Sequence, residues 1–250
     1  MEKLIAIKSK EELEYLRKSG KILATIVQEL KDFIRVGVET KEIDKRAERL
    51  IEKYQAKPAF KGYRGFPGCV CVSINQEIVH GIPSNRVFEE GDIASVDIGI
   101  IFDNYFSDTA FTVGIGKITE NLERLIHVTQ EALFRGIEQA RVNNHLSDIS
   151  FAIQNFVESN NFSVVRDFVG HGIGKTLHEE PEVPNFGLPH SGPILKEGMV
   201  LAIEPMVNLG TWQTKVLADG WTVVTQDGKP SAHFEHTVAI TKTGPEILTQ

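Results

Sequence analysis

The run Asp92-Ile93-Ala94-Ser95-Val96-Asp97-Ile98-Gly99-Ile100-Ile101-Phe102-Asp103-Asn104-Tyr105-Phe106-Ser107-Asp108-Thr109-Ala110 decides how the rest of the chain is read. Two β-rich segments flank Asp103-Asn104, a turn pair, and together they predict a hairpin. Asp97 stands among Val96, Ile98, Ile100 and Ile101, where a strand ordinarily carries an apolar residue. Asp108 stands in the second strand. An even-numbered loop centred between Phe102 and Asp103 sets the two carboxylates directly opposite, about 5 Å apart at Cβ, where like charges repel. Strand aspartates usually face solvent, but the apolar neighbours of Asp97 argue against that here. Two readings stay open at this point: a pair sharing one proton, or a metal site, which needs further ligands.

Further candidates lie downstream. Gly170-His171-Gly172-Ile173-Gly174 places a histidine among glycines, directly after an apolar strand ending in Phe168-Val169. Glu204 in Leu201-Ala202-Ile203-Glu204-Pro205 and Glu235 in Phe234-Glu235-His236-Thr237 are acids in apolar strands. One such acid is commonly half of an ion pair, whereas four can hold a pair of divalent cations. A single nitrogen with many carboxylate oxygens suits Mn²⁺, Fe²⁺, Co²⁺ or Zn²⁺ rather than a thiolate-bound structural zinc.

Helices frame these strands. Leu13, Leu16, Leu23, Val27, Leu30 and Ile34 recur at three and four residues and predict a helix over 9–34, with Ser9 as its N-cap. A second helix is expected from Thr40, as N-cap, with Ile43, Ala47, Leu50 and Ile51 on one face. The plan returns with helices over about 119–140 and from Ser147. Adding 106 to Ile43, Ala47, Leu50 and Ile51 lands on Ile149, Ile153, Phe156 and Val157, and Arg35-Val36 becomes Arg141-Val142. Strands are expected at 69–74, 93–101 and 105–114 after the first pair. After the second they are expected at 163–169, 199–207, 221–225 and 233–241. The fold class is therefore α+β: duplicated helix-helix-strands halves, about 9–115 and 116–250, around a largely antiparallel sheet in one domain over 1–250.

Composition narrows the class. The 250 residues carry a formal charge of −7 and are 41% hydrophobic, ordinary for one large globular domain and adverse to a chain-wide nucleic-acid surface. Cys69 and Cys71 build no disulfide framework, so a reducing compartment is expected. The apolar run in Met1–Lys8 is too short for a signal peptide, and no stretch spans a membrane, so the expected location is the cytoplasm. Dinucleotide-loop and P-loop spacings fail, and His178-Glu179 is not completed as a zincin because position 182 is Glu. His127, His145, His190, His233 and His236 have no motif support singly.

Taken together, His80-Gly81-Ile82-Pro83, Asp97 and Asp108 eleven apart, Gly170-His171-Gly172-Ile173-Gly174, His178-Glu179-Glu180-Pro181, Ile203-Glu204-Pro205 and Phe234-Glu235-His236-Thr237 closely resemble the type I methionine aminopeptidases of peptidase family M24. The resemblance runs from the first helix to Glu246-Ile247-Leu248. It implies the pita-bread fold around two divalent ions (Co, Mn, Fe(II), Zn or Ni). Asp97 would chelate one ion, Asp108 and Glu235 bridge both, and His171 with Glu204 hold the other. It further implies a nucleophilic water or hydroxide between the ions, Glu204 as proton shuttle, His178 at the oxyanion and His80 at the scissile amide. The methionine slot would be lined by Phe60, Tyr63, Phe66, Cys71, Leu177 and Trp221. Leu177 replaces an aromatic of some relatives, and Arg64 a common histidine.

The activity so implied is release of N-terminal methionine from nascent proteins and peptides with a small second residue, by a monomer. Ribosome contact would be transient, and no basic run marks a docking patch. Related X-Pro enzymes carry an extra N-terminal domain, and none is expected here. Type II enzymes carry an insertion between the last two acids, here only 31 positions apart. The zinc-finger-bearing eukaryotic form, which carries an N-terminal extension, is likewise not expected. Some pita-bread relatives act instead as binding proteins through ribosome, RNA or protein contacts, having lost ligands; all five ligand positions are present here.

Overall fold

A computed structural model describes residues 4–250, so Met1–Lys3 of the N-terminal stretch lie outside the described residues. Helix α1 (Lys10–Lys31) starts at Ser9, whose hydroxyl accepts the Glu12 N–H while the Glu12 carboxylate accepts the Ser9 N–H. Its buried stripe is Leu13, Leu16, Leu23, Ile26 and Leu30. Helix α2 (Thr40–Lys53) buries Ile43, Ala47, Leu50 and Ile51, but its N-cap is Glu39 rather than Thr40. The Thr40 hydroxyl is engaged elsewhere, donating to the Ser84 carbonyl and accepting the Ser84 N–H. Strands β1 (Lys57–Pro58), β2 (Val70–Ile74), β3 (Glu77–Val79), β4 (Ile93–Phe102) and β5 (Tyr105–Gly114) follow.

Helices α3 (Glu120–Gln139) and α4 (Leu146–Ser159) come next, α4 opening at His145. The rest is β6 (Ser163–Val164), β7 (Gly170–Gly172), β8 (Glu179–Val183), β9 (Val200–Ile203), β10 (Met206–Asn208), β11 (Thr214–Val216), β12 (Val223–Thr225), β13 (Ser231–His233), β14 (Glu235–Thr241) and β15 (Gly244–Ile247). The central sheet runs β1-β4-β5-β14-β9-β7-β8, with β2 also on β4 and β15 also on β14, in antiparallel pairs. Two three-stranded sheets, β13-β10-β6 and β11-β12-β3, flank it. All four helices contribute to one large apolar core packed with these strands. No helix among the described residues is long and apolar enough to cross a membrane.

Several boundaries differ from expectation, each for a local reason. The run 199–207 is two strands, because Pro205 offers no N–H to a ladder and the chain leaves the central sheet at Glu204-Pro205. The run 233–241 also divides, at Phe234, where β13 of a flanking sheet gives way to β14. The run 163–169 keeps only Ser163–Val164. The run 221–225 begins at Val223, since the Trp221 and Thr222 N–H groups bond the Asp219 carboxylate instead. Strands β1, β3, β7, β8, β11 and β15 carry too little alternation in their two to five residues to be read from sequence.

The decisive correction concerns the hairpin. Its loop is Asp103-Asn104, both at positive φ (49° and 65°), so the turn is centred between them and Phe102 pairs with Tyr105. Asp97 therefore lies opposite Ala110, and Asp108 opposite Gly99. The two aspartates share a face on a diagonal, and direct opposition does not form.

Candidate metal centre and its cavity

Register explains why the acids converge. Side chains alternate along a strand, so residues two apart share a face. Asp97, Asp108 and Ala110 lie on one face of β4–β5, and Ala110 pairs with Glu235 of β14. The ladder pairing His236 with Ile203 brings the next residues, Glu235 and Glu204, to one end. His171 of β7 lies opposite Ala202, two residues before Glu204. His236 points the other way, its Nδ1 2.9 Å from the Thr249 hydroxyl.

Hydroxyls lock this arrangement. The Thr237 Oγ1 accepts the Asp108 N–H at 3.0 Å and donates to the Asp108 carbonyl at 2.7 Å. The Thr109 hydroxyl donates to the Glu235 carbonyl at 2.6 Å. Glycine is required on β7: a Cβ at Gly172 would strike the Glu180 carbonyl, so only a bare backbone lets β8 approach this close.

Ligand-capable atoms of Asp108, His171 and Glu235 lie within 4.8 Å of one another, all three residues buried. His171 Nε2 lies 3.7 Å from Glu204 Oε1, while its Nδ1 donates to the Gly172 carbonyl at 2.9 Å. That second bond leaves Nε2 as the lone-pair nitrogen facing the acids. Burial lowers the His171 imidazole to about 3, so it is neutral and the contact with Glu204 is no ion pair. Asp97 and Asp108 adjoin on the shared face, and beyond burial the Asp108 charge strengthens the hold of Asp97 on a proton. Burial, and then the charge of neighbouring carboxylates, hold Asp97, Glu204 and Glu235 well above the usual carboxylate range. Asp108 is raised by burial to about 7, held back by its proximity to Asp97 and by the Thr109 N–H that it accepts.

Above the acids lies a cavity of about 160 Å³. All thirteen site residues expected from sequence line it, together with Arg64. One wall is apolar: Phe60, Phe66, Cys71 and Leu177 are buried, and Trp221 meets Phe66 edge-on at 5.2 Å. His80 and His178 form polar corners. His80 sits at φ 60° with its ring edge-on to Phe168 and Trp221. His178 stacks on Tyr63 and lies 4.3 Å from His171, ring to ring. Burial lowers both imidazoles, His80 to about 4.

Comparison with known proteins agrees with this geometry. The description "Metallopeptidase family M24" matches residues 14–242. The chain is 54% identical over 246 residues to the methionine aminopeptidase of Clostridium perfringens, covering 98% of this chain and 99% of that protein. It is 53% identical over 247 residues to methionine aminopeptidase 1 of Bacillus subtilis, covering 99% of this chain and all of that one. The crystal structure of methionine aminopeptidase from Rickettsia prowazekii superposes with a TM-score of 0.97 at 39% identity, covering 99% of this chain and 100% of that one. The chain belongs to metallopeptidase family M24, among the methionine aminopeptidases.

Membership in a metallopeptidase family raises whether these residues fit divalent cations, and they do. Asp97 Oδ1 and Glu235 Oε1 are buried without a hydrogen-bond partner among the described residues, a costly state that a cation relieves. The donor set, one imidazole nitrogen and carboxylate oxygens, is that of a hard-to-borderline divalent ion.

One residue escaped the reading of the sequence. His233 is buried, its Nε2 lies 3.5 Å from Glu204 Oε2, and that nitrogen has no hydrogen-bond partner among the described residues. Burial lowers it to about 3. Its signal was its place two residues before Glu235, the spacing that puts neighbours on one face of a strand.

Proposed function

We propose that this chain removes the N-terminal methionine from nascent polypeptides and peptides with a small second residue, using two divalent cations. The observation that carries the proposal is the seat of four acids, Asp108 and Glu235 buried and Asp97 and Glu204 half-buried, with a neutral histidine at the base of an apolar slot. Asp97 would hold one ion, His171 and Glu204 the other, with Asp108 and Glu235 shared. When bound, the ions supply Lewis-acid polarisation of the scissile carbonyl and a water of lowered pKa as nucleophile.

The chain's own residues do the rest. Phe60, Phe66, Cys71, Leu177 and Trp221 exclude water from the methionine side chain, whose flexible thioether suits such a surface. Glu204 takes a proton from the attacking water and passes it to the leaving amine. His178 donates a hydrogen bond to the oxygen on which charge develops, and His80 contacts the scissile amide. The two halves, about 9–115 and 116–250, form one catalytic domain. The chain works as a cytoplasmic monomer on emerging chains, with at most transient ribosome contact. A binding role without catalysis is disfavoured by the complete set of five ligand side chains in one cavity.

Hydrolysis of Met-Ala-Ser by thoroughly chelated protein, and after return of Mn²⁺, Fe²⁺ or Co²⁺, tests the proposal. Turnover is expected only with metal. Full turnover in chelated protein, or none with any of these ions, overturns it.

A further inference from the structure

Tyr63 and His178 are held together more firmly than two walls of a slot require. The Tyr63 Oη lies 2.9 Å from His178 Nδ1, and the rings stack at 5.3 Å with 25° between their planes. Each partner is fixed from behind. Tyr63 opens a tight turn, its N–H donating to the Phe60 carbonyl and its carbonyl accepting the Phe66 N–H, both at 2.9 Å. On the other side, the Glu179 carboxylate accepts the Lys175 and Thr176 N–H groups and pairs with the buried Lys8. The Thr176 hydroxyl donates to the His178 carbonyl at 3.1 Å. The contact is therefore built between two rigid segments.

A phenol hydroxyl carries one proton to donate, and among the described residues it has no acceptor besides this imidazole. A neutral imidazole carries one N–H, and a hydrogen bond received at one nitrogen fixes the proton on the other. We propose that Tyr63 is a positioning residue whose hydroxyl donates to His178 Nδ1 and holds the imidazole as its Nε2–H tautomer. Among the described residues no protein group hydrogen-bonds that Nε2, and His178 lines the cavity.

The consequence has two sides. The corner beside the acids offers a hydrogen-bond donor, the polarity needed by an oxygen gaining negative charge. The same proton denies the neighbourhood of His171, 4.3 Å away ring to ring, a second imidazole lone pair, and so keeps His178 from competing as an extra metal ligand. This use of the donor rests on the hydrolytic reading above, whereas the tautomer itself does not.

The test separates the two. In ¹⁵N-labelled, metal-free protein, His178 is expected to show a protonated Nε2 and a bare Nδ1. In Y63F, which keeps the ring and loses only the hydroxyl, the two tautomers are expected to mix. With metal restored, Y63F should lose about tenfold in kcat on Met-Ala-Ser while KM stays within twofold, because the slot keeps its shape. A protonated Nδ1 in the unaltered protein, or an unchanged kcat in Y63F, overturns the proposal. Loss through KM alone also overturns it, since that marks Tyr63 as slot wall only. If the unaltered protein shows the expected tautomer but hydrolyses no methionyl peptide, the hydrolytic reading fails and the tautomer assignment stands.

Discussion

Asp108 lies across the β4–β5 ladder from Gly99, and one step along the same face Asp97 lies across from Ala110. The two acids thus occupy one diagonal of a four-residue patch, and the two smallest side chains occupy the other. Nothing bulky fills the space between the carboxylates. The raised affinity of both for protons follows first from burial, and for Asp97 also from that proximity.

Gly99 is the sensitive corner. A Cβ there would stand 2.9 Å from the Phe60 ring and 3.0 Å from the Ala59 Cβ, with Asp108 Oδ1 at 3.3 Å. Gly99→Ala is expected to destabilise by about 1–3 kcal/mol through overpacking and to push Phe60 into the slot. In urea titration and peptide kinetics it should appear as a lowered midpoint and a raised KM for methionyl peptides. An unchanged KM would show that Phe60 has room to move.

Replacing Asp108 by Asn removes a charged oxygen from the centre of the candidate metal seat while keeping its shape. Turnover is expected to fall by at least about 100-fold, with affinity for Mn²⁺ reduced in calorimetry and the far-ultraviolet spectrum preserved. Normal rates and affinity in D108N would remove Asp108 from the ligand set.

Thr237 is fully buried and serves both backbone groups of Asp108. Thr237→Val keeps the volume and strands a buried N–H and a buried carbonyl, at a cost of about 2–4 kcal/mol. Thr237→Ser retains the hydroxyl and should recover much of that loss. Chemical denaturation of both variants provides the measurement. Equal stability of T237V and the unaltered protein would mean that Asp108 finds other partners.

The metal-free protein should lose stability as pH rises above neutrality. An unfolded carboxyl releases its proton near pH 4, whereas the buried acids of the site keep theirs to higher pH, to about 7 for Asp108. In that window the native state binds more protons than the unfolded chain, so stability falls with pH. His171 and His233, lowered to about 3, and His80 and His236, lowered to about 4, act in the opposite sense until the unfolded imidazoles, half-titrated near pH 6.5, have shed their protons by about pH 7.5. Above about 7.5 the carboxyl effect dominates. Between about pH 7.5 and 9 the melting temperature in chelator should drop, and divalent cation should abolish or reverse the drop. Thermal unfolding scans with and without chelator check this; a flat or rising profile in chelator would contradict it.

Much of the molecule is legible in its sequence because the relevant signals are local. Ser9 and Glu12 announce α1 through capping chemistry, and Ile43, Ala47, Leu50 and Ile51 mark the buried face of α2 through period alone. Asp97, Asp108, Glu204 and Glu235 stood out because each is an acid where a strand should be apolar. Short strands such as β7 and β11 carried no such signal, and their existence depends on pairing with β8, β9 and β12 rather than on their own pattern.

The chain alone therefore determined its helices, its hairpin and the identity of the acids, since these follow from spacing and burial preference. Tertiary structure alone decided how those acids meet. Centring the turn on Asp103-Asn104 moved the register by one step and turned an opposed pair into a diagonal one, because side-chain period two makes pairing sensitive to the turn. Pairing across β5, β14, β9 and β7 then gathered Glu235, Glu204 and His171 onto that face and set His233 against Glu204. No local rule contains those contacts, because hydrogen bonds between strands about thirty to more than a hundred residues apart create them.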